Sequence, residues 1–290
     1  MIIELLIILT LIWLIVASLT DIKIREVPNW LSFSLIIIAI SFQLINSLIN
    51  NDPNIIITSI KGFSIFFIIG NLMYYTKQWG GGDAKILMGL GAIFPKYPTE
   101  LSSIFNPELN LPFLIIILLN ILIVGAIYSL IASIVLAIKN KNKFKKELNK
   151  KIKNKKITLV NKSIIIFSVM TYILFLLLLK TTLIPVIFAT LPLILFYLWI
   201  IISVIEKISM YKILKVNQLR EGDWVVKRIK NKDKIIYTPN VNGITNKEIK
   251  KLNKNNIKKV TIKDGLPFLP AILLAVIISL IFGNILMYII

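Results

Sequence analysis

The chain has 290 residues, 57% of them apolar and only 17% charged, with a mean hydropathy of +0.82, a balance that excludes an ordinary soluble globule and points to an integral membrane protein. It contains no Cys and no His, so disulfides, thiolate nucleophiles, Cys-ligated zinc and imidazole bases are excluded, and Ser, Lys, Asp and Glu remain for any chemistry. The net charge of +20 comes mostly from two segments, 139–162 and 206–265; no aromatic-interleaved basic motif accompanies it, which argues for membrane topology and anionic lipids rather than nucleic acid.

The first apolar run, Ile2 to Thr20, starts acidic at Glu4 and is followed by Lys23 and Arg25. That is the reverse of a cleaved signal peptide and places the N-terminus outside and Asp21 at the cytoplasmic end of span one. Pro28 breaks the chain, and Trp30 suits a headgroup-level anchor for span two, Trp30 to Ile49. A polar external turn at Asn50 to Asn54 leads into span three, Ile55 to Tyr75, which returns to the cytoplasm. The next helix can begin at Gly82 or Asp83 and is stopped by Pro95. A dozen residues give roughly 18 Å, against the ~30 Å hydrocarbon core. Either the loop Lys96 to Leu111 completes the crossing, or the helix starts below the membrane surface and puts Asp83 at depth.

Span five covers Leu111 to Ile138, followed by a cytoplasmic Lys- and Asn-rich block of disordered composition. Two further apolar stretches, Ser163 to Leu179 and Leu183 to Ile205, are separated by a tight turn at Lys180 and two Thr. Within 206–265, WVVKRI, KIIYTP and KKVTIKDG read as strands and TNKEIKKLNKN as a helix, with Thr245 and Glu248 at capping-box spacing. The last span is Leu266 to Ile290. The expected fold is therefore a polytopic α-helical membrane protein of about eight transmembrane helices with a small cytoplasmic α+β subdomain. Its expected divisions are 1–138, the basic loop 139–162, the hairpin 163–205, the subdomain 206–265 and the terminal helix 266–290.

Two aspartates stand out, because carboxylates at the ends of membrane-length segments are rare and tend to be functional. Asp21 follows the first span and Asp83 follows Gly80, Gly81 and Gly82; the hairpin of spans two and three returns both to one side. Two carboxylates brought together share a proton and can act as acid and base. Each also has a simpler reading: Asp21 as a hydrated charge beside Lys23 or Arg25, Asp83 as the N-cap of the short helix. The glycine run calls for unusual backbone angles or a close approach, such as an extended substrate pairing with it, or else forms a flexible turn.

GGGD at 80–83 resembles the GxGD motif of membrane-embedded aspartic peptidases, and TDIKIREVPNW at 20–30 resembles the Asp-containing segment of type IV prepilin peptidases. With PFLPAILLA before the last span, the order and spacing resemble the archaeal branch, which processes preflagellins and prepilins. The resemblance is best over 10–95 and 218–275. It implies Asp21 and Asp83 as the catalytic pair, with Gly80 and Gly82 shaping the loop and the glycine run meeting substrate. It also implies no metal or organic cofactor, and a substrate with a short basic leader ahead of an apolar helix, cut at the cytoplasmic face of the plasma membrane. The family core has six spans, against eight apolar runs here, and the cysteine-rich zinc segment of many bacterial relatives is absent, with any ground for N-methylation. The competing classes are an ion-coupled transporter, which would place polar residues in span centres, and a non-catalytic membrane scaffold docking through 206–265.

Overall fold

Why the apolar runs become helices is set by the bilayer: with no water to serve backbone N–H and C=O groups, each segment must satisfy its own. The computed structural model describes residues 2–179, 183–231, 234–240 and 243–288. It forms two units, one made of the chain up to Leu130 together with Gly265 onward, the other of Ile131–Asp264.

In the first unit, helix α1 runs Ile2–Ile24 and α2 Asn29–Ile49, separated by a break at Pro28. Asp52 caps α3, Pro53–Tyr75, accepting the Asn54 N–H at 3.0 Å, with Pro53 in the first helical position. Helix α4, Gly81–Ile93, is apolar all round and buried from Ile86 to Ile93, so it is a core helix. Its last carbonyls are served by neighbours. Ser59 of α3 donates to Ala92 O at 2.7 Å, and Gln43 of α2 donates to Ile93 O at 3.2 Å. Helices α3 and α4 touch backbone to backbone: a Cβ on Gly62 would lie 2.2 Å from the Gly91 carbonyl oxygen, and one on Gly91 2.4 Å from that of Gly62. Small residues of this kind let membrane helices approach where lipid supplies no hydrophobic drive.

A 3-10 turn, Thr99–Leu101, and the one-turn helix α5, Ser102–Phe105, precede the long helix α6, Phe113–Lys139. The core of this unit gathers Leu14, Leu35, Phe66, Leu90, Ile117 and Ile272. Exposed apolar side chains such as Ile8, Ile37, Ile68 and Leu72 form its lipid-facing surface.

In the second unit, the block expected to be disordered is instead the helix α7, Lys141–Ile152. Phe144, Leu148 and Ile152 recur at four-residue spacing within it, Phe144 and Leu148 are half-buried, and α7 contacts α9. Helix α8, Lys155–Leu179, starts earlier than its apolar run and packs on α9, Leu183–Ile205, with Phe175 stacked on Phe188 at 4.6 Å. The expected turn at 180–182 lies outside the described residues.

Beyond α9 the small α+β region forms as expected in kind. Strand β1, Tyr211–Lys215, pairs with β5, Lys259–Lys263, which also pairs with β2, Trp224–Val225, all antiparallel. Strands β3, Ile229–Asn231, and β4, Lys234–Tyr237, pair antiparallel in a second sheet. The run WVVKRI thus divides between two sheets, and β1 is an addition to the expected strands. Thr245 and Glu248 do form the capping box of α10, Asn246–Lys254, with the Thr245 N–H on Glu248 at 2.9 Å. Val225, Ile236, Leu252, Val260 and Ile262 fill this core.

The final helix, α11, covers only Leu269–Ile281. The next residues turn back, with Glu108 N–H on Phe282 O and Asn284 N–H on Glu108 O, so the segment expected to span from Leu266 to Ile290 is a 13-residue helix. Of the eight apolar segments, six described helices are long and apolar enough to cross a membrane. Helices α4 and α11, at about 20 Å each by helical rise, are shorter than the ~30 Å core. The chain is a multi-pass membrane protein.

Candidate active site

Asp21 lies inside the last turns of α1 rather than beyond its end, and it is only 7% exposed. This overturns its reading as a hydrated surface charge. Its Oδ2 accepts the backbone N–H of Leu269 at 3.1 Å. Leu269 is the first residue of α11, and Pro270 follows it in the first turn. The amides of that turn have no carbonyl within their own helix, and a carboxylate there also meets the positive end of the helix dipole. The approach is fixed from a second side, where the Arg25 guanidinium donates to the Gly265 carbonyl.

Asp83 holds an equivalent position on α4. Gly80, extended at φ −71° and ψ 160°, is the N-cap, and Asp83 sits three residues on, its Oδ2 accepting the Gly80 N–H at 3.0 Å. Asp83 therefore caps the helix by reaching back from its first turn instead of occupying the N-cap itself. The residue is partly buried. Its carboxyl feels the charge of Asp21, so the fold brings the two acids into electrostatic contact.

Three chain segments meet around the pair. Trp79, just before the glycines, packs on Phe268, just before Leu269, with ring centroids 5.6 Å apart. Phe268 in turn lies where a Cβ on Gly125 of α6 would be, 2.6 Å from its Cζ. Val27, after α1, lies against Gly82, where a Cβ would be 2.7 Å from the Val27 Cβ and Cγ2. Of the explanations for the glycine run, a close approach is observed at Gly82, and none of Gly80, Gly81 and Gly82 has a positive φ. Around Gly81 a Cβ would meet only the Tyr74 ring, at 3.5 Å. One turn into α4, Lys85 donates to Asn29 Oδ1 at 2.6 Å and lies 5.0 Å from the Phe33 ring centroid, tying the helix to the start of α2.

Sequence alone pointed to Asp21, Asp83 and the glycines. It missed Val27, Trp79, Phe268 and the Leu269 amide. The one available signal was Pro270 in LPFLPAIL, which marks a helix start whose first N–H needs an acceptor from elsewhere. Among the described residues no cluster of three or more His, Cys, Asp or Glu is arranged to hold a metal ion.

Residues 8–130 match the model of the type IV leader peptidase family. The chain is similar to the preflagellin peptidase of Methanococcus voltae, at 35% identity over 130 residues, covering 45% of this chain and 55% of that one. The preflagellin peptidase of Methanocaldococcus jannaschii is 32% identical over 142 residues, 47% of this chain and 60% of that one. A prepilin peptidase, EppA, of Methanothermobacter thermautotrophicus is 28% identical over 126 residues, 41% of this chain and 33% of that one. The chain spans little more than half the length of the preflagellin peptidases it matches. The matched region 8–130 contains both aspartates and the glycine run, whereas Leu269 lies beyond it.

Proposed function

We propose that this protein is a membrane-embedded aspartic endopeptidase that removes the short basic leader of prepilins or preflagellins at the cytoplasmic face of the plasma membrane. The observation that carries the reading is the coupled pair itself: Asp21 and Asp83, each held by a backbone N–H at a helix start, with the charge of one acting on the other. The match of residues 8–130 to the type IV leader peptidase model and the similarity of the chain to preflagellin peptidases support the same reading.

Two carboxylates in one site hold a single proton between them, because ionising both sets like charges against each other. The ionised partner takes a proton from a water, whose oxygen attacks the scissile carbonyl carbon. The protonated partner donates to the carbonyl oxygen. Collapse of the tetrahedral adduct breaks the C–N bond, and the departing amine takes the proton back. The proton belongs to the pair, which titrates as a unit. The extended backbone at Gly80 and the uncrowded face of Gly81 suit the main chain of a substrate laid alongside.

The orientation rests on the positive-inside bias: Lys23 and Arg25 follow α1, and the Lys-rich helix α7 lies between two spans. The same lysines favour anionic lipids at that face. The test is co-expression with a prepilin or preflagellin and a gel assay for leader removal, comparing the wild type with Asp21→Asn and Asp83→Asn. Loss of processing in both variants, with wild-type amounts of protein in the membrane, is expected. Unchanged processing in both overturns the reading.

A further inference from the structure

At the other end of the same helices lies a cavity of about 250 Å³. It is bounded by the first turns of α1, the last turns of α2, the start of α3 and the segment that follows α4. Residues 3–7 of α1 line it, 14 or more positions from Asp21, which at 1.5 Å per residue is over ~20 Å from the aspartate pair. It is therefore separate from the site described above.

The cavity is rich in hydrogen-bond acceptors. Glu100 lines it, and the Glu100 Oε2 is buried without a hydrogen-bond partner among the described residues. Gln43 and Asn46 are each 8% exposed, and the Asn46 Oδ1 already accepts from Asn50 Nδ2 at 2.8 Å. The Gln43 amide nitrogen is already committed to Ile93 O, which leaves its oxygen to face a ligand. Asp52 adds a second carboxylate, against one cation, Lys96, which is exposed. This balance disfavours an anion, since a buried carboxylate oxygen needs a donor and repels negative charge.

Size and walls narrow the occupant further. At roughly 30 Å³ per water the space equals about eight waters, far more than a bare metal ion fills. Ile7, Ile93 and Phe94 supply apolar wall suited to methylene groups. An alkylammonium combines what the site lacks, donors and positive charge, with the carbon body its walls accept; its head has three donors and no acceptor.

We propose that this cavity binds an organic ammonium group, carried either by a small free amine or by the headgroup of an amino lipid. Both sources reach it, because the cavity lies where three membrane-length helices begin or end, at headgroup level. The site operates independently of the peptidase reading.

The full chain is tested in two arms by thermal unfolding. In detergent, ethanolamine is titrated against ethylene glycol, its uncharged counterpart. In nanodiscs, phosphatidylethanolamine mixed with phosphatidylglycerol is compared with phosphatidylglycerol alone. A saturable rise in Tm with ethanolamine identifies a free amine, and a rise only in the phosphatidylethanolamine discs identifies a lipid headgroup. In the responding arm Glu100→Gln is expected to weaken binding about tenfold, whereas Lys96→Ala, which removes the like charge, strengthens it. Opposite signs from two variants are not produced by misfolding. Equal response to ethanolamine and ethylene glycol together with equal Tm in the two kinds of disc, or an unaltered response in Glu100→Gln, overturns the proposal.

Discussion

Asp21 and Leu269 stand 248 positions apart in the chain and 3.1 Å apart in space, joined by a backbone N–H that donates into the carboxylate. The bond gives Asp21 two separable duties, holding α11 and, in the proposed reaction, moving a proton. Asp21→Asn keeps an acceptor for the Leu269 amide, so it is expected to abolish leader removal while melting within about 1 kcal/mol of the wild type. Asp21→Leu leaves that amide unpaired in the interior and is expected to cost about 1–3 kcal/mol as well as activity. Thermal unfolding in detergent beside the cleavage assay distinguishes the two; an Asn variant as unstable as the Leu variant would contradict the division.

Gly82 and Val27 form a contact that can be tested by compensation. Gly82→Ala places a methyl 2.7 Å from the Val27 Cβ and Cγ2 and is expected to lower activity and stability by about 1–3 kcal/mol. Val27→Gly in the same chain removes those atoms and is expected to restore much of the loss. The control is Gly81→Ala, whose Cβ meets only ordinary contact. It is expected to leave Tm unchanged, so any fall in its cleavage rate reports contact with substrate.

The seam between α3 and α4 offers no such relief. Methyl groups at Gly62 or Gly91 meet main-chain oxygen at 2.2 and 2.4 Å, and trimming a side chain cannot make room. Either Gly→Ala change is expected to separate the helices and reduce stability by about 3 kcal/mol or more. Cleavage should fall with it, because α4 carries Asp83. Accumulation in the membrane and Tm measure the first effect, and leader removal the second.

In the α+β region, burial is the main influence on Asp223 and pushes its carboxyl above the ordinary range, while the Arg220 N–H, donating at 2.8 Å, and the Arg220 charge pull the other way. The folded state therefore holds this proton more tightly than the unfolded state. Between the ordinary value near ~3.9 and the higher folded value, stability falls as pH rises. Asp223→Asn removes that cost while keeping an acceptor for Arg220. Amide hydrogen exchange in β5 is expected to slow in the variant at neutral pH, and the difference should shrink on acidification below pH ~4.

What the sequence made legible was whatever depends on local rules. Apolar length located the spans, Pro95 ended α4, and the Thr245–Glu248 spacing foretold a capping box that forms as drawn. Both acids were visible because charge at the edge of an apolar run is conspicuous. Hidden were the features that depend on distant partners. The Leu269 amide carries no side-chain signature, and β1, with Lys212 and Lys215 among its five residues, looks like any polar linker until β5 pairs with it. Helix α7 was obscured by its lysines. Phe144, Leu148 and Ile152 at helical spacing were the clue to its order.

The bond between Asp21 and Leu269 also has a consequence in time. At a synthesis rate of roughly 5–20 residues per second, the ribosome needs on the order of 12–50 s after making Asp21 to deliver the amide that anchors it. Throughout that interval the first span already carries its acid, and the helix that receives it does not exist. On this geometry a chain that stops short of Leu269 lacks the anchored Asp21, and the proposed activity begins only when α11 joins α1.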